Sequence, residues 1–407
     1  MKRPTLKNTP GRPANEAGQN FVAVCVSLTF CFVVYSMLLV TVPVYGLELG
    51  ASPLMLGVIL SSQYLLPFLL AIPLGGVVAR HGGRVTLVVG ALVMTGGLLL
   101  MQFLPGYYGL IGGQLLVGLA HLQMVLSAQT IISSLATGPK LESYFGWYST
   151  WLSGGQVVGP LLAGGWIHWA GGVDNLFLVM AGIALLGGLS GLALTGEATL
   201  GMSVTGKQTG FRAQAALMRH NTGVQVSIAI TVAGMFALGV YGSYLPVYLD
   251  SLEMSAVMIG VLVSLRAGVS MVIRPFIPRI ILAVGGRGKA TTLALCTISA
   301  GLACMGLATN APFIALLSIF VGLGGGLTQP LSMVVLAESV AREQRSGALG
   351  MRLMANRAVH FVAPLLFGAV LGMSGFGVSF GLSGVVVALI AVLLVWLQNR
   401  PIALSNP

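Results

Sequence analysis

PVYGLELGASPLMLGVILSSQYLLPFLLAIPLGGVVARHGGR, residues 43–84, returns without a gap at residues 246–287 as PVYLDSLEMSAVMIGVLVSLRAGVSMVIRPFIPRIILAVGGR. The offset is 203 residues at both ends (246 − 43 and 287 − 84). Pro-Val-Tyr, a Met-x-Gly-Val-x-x-Ser core and the closing Gly-Gly-Arg all coincide. Each copy reads as a turn, an apolar stretch long enough to cross a bilayer as a helix, and a basic turn. At midspan the copies differ: Gln63 in the first becomes Arg266 in the second. A duplicated membrane scaffold with a cation added to one copy is the pattern carried by the whole chain.

Composition agrees. Of 407 residues, 56% are hydrophobic and 7% charged, against about a quarter charged in a soluble domain. Residues 1–20 are polar and basic, and the apolar run 21–45 is longer than a signal h-region, so it reads as the first span. Twelve spans are expected near 21–45, 54–79, 85–104, 108–135, 146–170, 175–195, 223–249, 254–282, 290–308, 312–337, 347–373 and 376–398. The fold class is therefore an all-α membrane protein of two pseudo-symmetric six-helix bundles. Residues 1–20 form a tail, 21–195 the first bundle, 196–222 a linker, 223–398 the second bundle and 399–407 a closing tail. Within the linker, Phe211, Ala215 and Met218 alternate with Lys207, Arg212 and Arg219, as in a short helix lying on a membrane surface.

The net charge of +11 follows topology. Lysines and arginines crowd the two tails and alternate loops, while the loops near Glu48, Pro105, Asp174, Asp250, Asn310 and Ser374 carry none. That bias places both termini in the cytoplasm of a multi-pass inner-membrane protein. It also argues against nucleic acid as a partner. Cys25, Cys31, Cys296 and Cys304 all fall in apolar spans without zinc-ligand spacing, and are expected as small packing residues.

The repeat extends further. GWYSTWLSGGQVVGPLLAG (146–164) lies over GMRLMANRAVHFVAPLLFG (350–368), and Val117-Gly118-Leu119 over Val321-Gly322-Leu323, at an offset of 204. Halves repeated in the same orientation are a known transporter architecture.

With these residues in view, the chain resembles the major facilitator superfamily over nearly its whole length. Gly75, Arg80, Gly82 and Arg84 match that family's signature turn between spans two and three, with Ala79 where the family has an aspartate. In the family that aspartate helps latch the cytoplasmic side, so the resemblance implies a latch here without its carboxylate. Gly155-x-x-x-Gly159-Pro160 is similar to the fifth-span motif of the family's proton-driven exporters, with Ala163 at a usual glycine. Gln114 stands where those exporters carry a span-four arginine tied to proton coupling. The resemblance implies alternating access around a midplane site and coupling to protons.

Intramembrane cations are the candidate working parts, since a charge at mid-bilayer costs at least about 2.5–3.5 kcal/mol. Arg266 lies midway along span eight; Arg357, His360 and Asn356 lie midway along span eleven. The matching first-half residues are neutral: Gln63, Ser153 and Gln156, with His121 the one ionisable side chain deep in that half. Tyr35, Tyr241 and Tyr244 offer apolar rings with polar tips. No Asp or Glu shares the depth of Arg266 and Arg357, and a guanidinium fork suits carboxylate or phosphate oxygens. The expected cargo is thus a small organic anion or a carboxylate-bearing amphipathic compound. Pairing of both arginines with backbone carbonyls is the bland competitor. Arg274, Arg279 and Arg352, nearer the basic face, are read as gating or snorkelling side chains.

No ATP-cradling loop, His-Glu-x-x-His, cofactor motif or metal site is visible, so neither an enzyme nor a primary pump is expected. The expected partners are the lipid bilayer, an anionic small molecule and protons, with the chain acting as a monomer. Export is favoured by the fifth-span motif. An uptake carrier for anions, a multidrug exporter, and a receptor or scaffold without transport remain as alternatives.

Overall fold

The structure is a computed structural model that describes residues 14–135, 139–195, 219, 221–340 and 345–399. The first bundle comprises α1 (Ala14–Glu48), α2 (Pro53–His81), α3 (Gly83–Phe103), α4 (Tyr107–Leu135), α5 (Pro139–Ala170) and α6 (Leu176–Leu192). The second opens with α7 (Thr222–Ser251) and α8, which runs Ala256–Ile273, passes through a 3-10 turn at Arg274–Phe276 and resumes at Ile277–Ala283. It continues with α9 (Arg287–Ala303) and α10 (Ala311–Ser339). The run Arg345–Asn399 kinks at Gly375 (φ 76°), giving α11 (345–374) and α12 (376–399). Nine helices of the described residues are long and apolar enough to cross a membrane, the kinked run counting once. Shorter α6 and the more polar α5, with that run divided, bring the number to twelve.

Span eight runs from Ala256 to Ala283, close to its expected bounds, with a 3-10 turn inside it where Pro275 and Pro278 fall. Proline removes a backbone donor and crowds the preceding turn, so the 3-10 turn begins at Arg274. The proposed linker helix lies outside the described residues.

The repeat holds at the level of atoms. Ser52 and Ser255 cap α2 and α8 by accepting from Met55 N and Met258 N. Gly82 (φ 83°) and Gly285 (φ 79°) end the corresponding helices in a conformation open to glycine. Tyr45 meets Phe177 edge-on at 5.6 Å, and Tyr248 meets Phe380 likewise at 5.7 Å. Gly118 packs on the Gln63 carbonyl as Gly322 packs on that of Arg266. Outward-facing side chains such as Leu92, Leu189, Val272 and Leu389 are apolar and exposed, as a lipid-facing surface requires. Cys25 and Cys31 are packed inside the first bundle, but Cys296 and Cys304 are exposed, so only the first pair fills a core.

The bundles meet through α2 with α11 and α5 with α8, and two glycine crossings set how closely. A Cβ added to Gly57 would come within 2.8 Å of the Pro364 carbonyl oxygen, and one on Gly368 within 2.5 Å of that of Pro53. Gly164 and Gly260 stand in the same relation to the carbonyls of Ala256 and Pro160. These four glycines lie towards the face opposite the one where α1 begins. Gly146 and Gly154 on α5 and Gly350 on α11, towards the terminus-bearing face, have nothing within 4 Å of a built Cβ. Trp147 is 59% exposed there and Leu69 58%. Among the described residues, the bundles are in close contact on the far face.

Candidate functional site

Midway between the two faces, side chains of both bundles converge on Tyr64. Tyr35 of α1 donates its hydroxyl to the Tyr64 hydroxyl of α2 at 3.1 Å. The Tyr35 ring stacks on His121 of α4 with centroids 4.0 Å apart, and Phe32 meets the same imidazole edge-on at 4.9 Å. Across the interface, the Tyr64 ring meets His360 of α11 edge-on at 5.0 Å. Arg266 and Arg357 both lie within electrostatic reach of Tyr64, and Arg357 also of Tyr35, His121 and His360. The Arg266 guanidinium lies over the Tyr241 ring, 5.7 Å from its centroid.

Tyr64 was not among the sequence candidates, because its pseudo-equivalent in the second half is the apolar Ala267 and it adjoins the more conspicuous Gln63. The one available signal was its position, one residue from the midspan site of difference.

Neither midspan arginine has an acidic partner. The single ion pair among the described residues joins Arg287 to Glu338, on exposed ends of α9 and α10. Arg266 Nε and Arg357 Nε are buried without a hydrogen-bond partner among the described residues, as are His121 Nε2, His360 Nδ1 and Gln63 Nε2. Buried donors and acceptors are nearly always satisfied in folded proteins. These five lie on four helices from both bundles, among eleven such atoms in the described residues. Arg266, Arg357, His360, Asn356, Gln156 and Tyr35 retain partial exposure, while Gln63, Tyr64, His121 and Tyr241 are buried.

Other candidates fall elsewhere. Tyr241 is fully buried and donates its hydroxyl to Leu262 O at 3.1 Å, so it supports Arg266 from beneath and presents no free hydroxyl. Tyr244 sits at the α2–α11 crossing, its hydroxyl 3.1 Å from the carbonyl oxygens of both Pro53 and Pro364, which makes it part of the far-face seam. Gln63, whose amide nitrogen is one of the unpaired atoms above, is buried and packs its backbone carbonyl against Gly118 of α4.

Of the arginines read as gating or snorkelling, Arg352 is 6% exposed and donates from Nε to Ser332 Oγ at 3.0 Å and from Nη2 to Gln329 O at 3.3 Å. It ties α11 to α10 and does not reach for the surface, because two acceptors await it one turn inside. Arg274 crosses the interface, donating from Nη1 to Ser153 Oγ at 3.1 Å. Arg279 lies over the Phe276 ring at 5.8 Å.

The motif residues divide their work. Gly155 and Gly159 bring α5 against α1, where Ser36 Oγ donates to Gly155 O at 3.0 Å. Pro160 belongs to the far-face seam, through its carbonyl against Gly260. Gly75 and Arg80 lie in the last turns of α2, Gly82 ends it, and Arg84 donates to Leu192 O at 2.8 Å, tying α3 to α6. Among the described residues no group of three or more His, Cys, Asp or Glu side chains could hold a metal ion.

Solved structures share this architecture at low identity. A POT family transporter in complex with 5-aminolevulinic acid is 12% identical with a TM-score of 0.78, covering 92% of this chain and 95% of its own. The nucleoside transporter NupG is 14% identical with a TM-score of 0.78, over 94% of this chain and 99% of that one. A bacterial homologue of the human lysosomal transporter Spinster, in an inward-facing conformation, is 13% identical with a TM-score of 0.73, over 95% and 97%. No curated protein matches the chain. The sequence profile of the Major Facilitator Superfamily matches residues 24–308 and 283–407, which together span nearly everything described above. The chain belongs to the Major Facilitator Superfamily, whose members are membrane transporters and not enzymes.

Proposed function

We propose that this protein is a secondary transporter that moves a small organic anion across the cytoplasmic membrane by alternating access, with export as the favoured direction and both termini in the cytoplasm. The fold relatives differ in what their names say they carry, so the choice of cargo rests on side chains. The observation that carries it is the pair Arg266 and Arg357, at midspan, partly exposed and without a carboxylate partner among the described residues. In a low-dielectric site an arginine left unpaired is costly, and an anionic cargo supplies the missing charge and acceptor oxygens. Rocking about the glycine crossings would then present the same site to either face. With no midspan carboxylate, proton exchange during the cycle falls to His121, His360 or the cargo itself.

The test is transport by purified protein in liposomes. Saturable, sided flux of a carboxylate, weakened by R266Q and R357Q, supports the reading. Undiminished flux in both variants removes the anion assignment. Absence of any flux, in protein that binds carboxylates, would make this a receptor.

A further inference from the structure

Resting on the anion reading, we infer that the site selects aryl carboxylates, with Tyr35 and Tyr64 as the residues that set the preference. The arginines are embedded among rings. On the first bundle stand Phe32, Tyr35, Tyr64 and His121; on the second, Tyr241 lies beneath Arg266 and His360 meets Tyr64 edge-on. Three of these ring contacts are tight, at 4.0, 4.9 and 5.0 Å between centroids. They hold the wall in one arrangement, so the rings need no reordering to receive a ligand.

Geometry then selects the ligand's shape. A carboxylate gripped by an arginine fork lies in the guanidinium plane. In an aryl carboxylate the ring continues that plane, so cation, carboxylate and ring form one flat object. Flat objects fit between rings, in offset or edge-on contact, where aromatic pairs gain beyond their area burial. A saturated ring of similar size is puckered and has no π-face to offer. Tyr35 is the ring of the first-bundle wall that combines partial exposure with proximity to Arg357. Tyr64, buried and hydrogen-bonded to Tyr35, holds that ring in place and lies within electrostatic range of both arginines.

The experiment compares three probes by calorimetry on the intact detergent-solubilised protein: benzoate, cyclohexanecarboxylate and benzamide. Benzoate is expected to bind about tenfold more tightly than cyclohexanecarboxylate, the scale of one or two added aromatic contacts. Simple hydrophobic burial would order that pair the other way, because the saturated ring buries more apolar surface. Y35L is expected to bring the ratio close to one. Equal affinities in the unaltered protein overturn the aryl preference and leave the anion reading intact. Benzamide binding as tightly as benzoate, or no binding by either carboxylate, overturns both.

Discussion

Tyr35 on α1 donates to Tyr64 on α2 at 3.1 Å, and through this pair the first bundle presents one rigid ring surface to the cations of the second. The relationship matters because neither hydroxyl would be anchored without the other at this depth. Removing one hydroxyl by Y64F should lose a buried hydrogen bond of about 0.5–1.5 kcal/mol. The melting temperature should fall by the equivalent of that loss, and carboxylate binding, read by calorimetric titration, should weaken as the Tyr35 ring loses its anchor.

Arg266 and Arg357 should each carry a charge-assisted contact to the cargo. R266Q and R357Q are expected to weaken anion binding about 10- to 150-fold, the equivalent of roughly 1.5–3 kcal/mol. Lysine at either position should restore only part of the loss, since an ammonium lacks the planar fork. Ligand-induced thermal shifts measure both effects.

The far-face crossings should tolerate no side chain. G57A, G164A, G260A and G368A each place a methyl group against a facing carbonyl, and overpacking of this kind costs about 1–3 kcal/mol. Only the far-face-closed state pays it, so populations should move about 5- to 150-fold towards opening on that face. Distances between spin labels on the far ends of α2 and α11 report the shift. G154A, with nothing within 4 Å, should leave the distribution as it was.

Arg274 and Ser153 form a hydrogen bond between bundles, so its strength should register in the same distance measurement. A double-mutant cycle of R274Q and S153A is expected to show a coupling of about 1–3 kcal/mol. Additive single effects would assign the bond no part in holding this state.

Arg352 should behave as a structural residue. R352M removes two donated bonds, to the Ser332 hydroxyl and to the Gln329 carbonyl, and leaves that carbonyl only its bond from Ser332 Oγ, at about 1–3 kcal/mol. A lower melting temperature with an unaltered ranking of benzoate over cyclohexanecarboxylate is the expected result.

The amino-acid order alone determined the architecture. Apolar runs of bilayer length, a gapless duplication and a one-sided charge pattern act locally or at a fixed offset, and backbone groups in lipid have few alternatives to a helix. The same reading located Arg266 and Arg357, because an uncompensated charge in an apolar run is conspicuous wherever the run packs.

Which partners those residues meet was decided only by the tertiary structure. Tyr64 became central and Tyr244 peripheral because helix rotation and the depth of each glycine crossing choose a side chain's neighbours, and neither is written in a helix's own periodicity. Arg352 turned inward for a similar reason, since Ser332 and Gln329 come from another helix 20 and 23 residues earlier in the chain. The close glycine crossings of the far face likewise belong to the packing of one bundle on the other. Two arrangements of the same halves share every local preference, so only their contacts tell them apart.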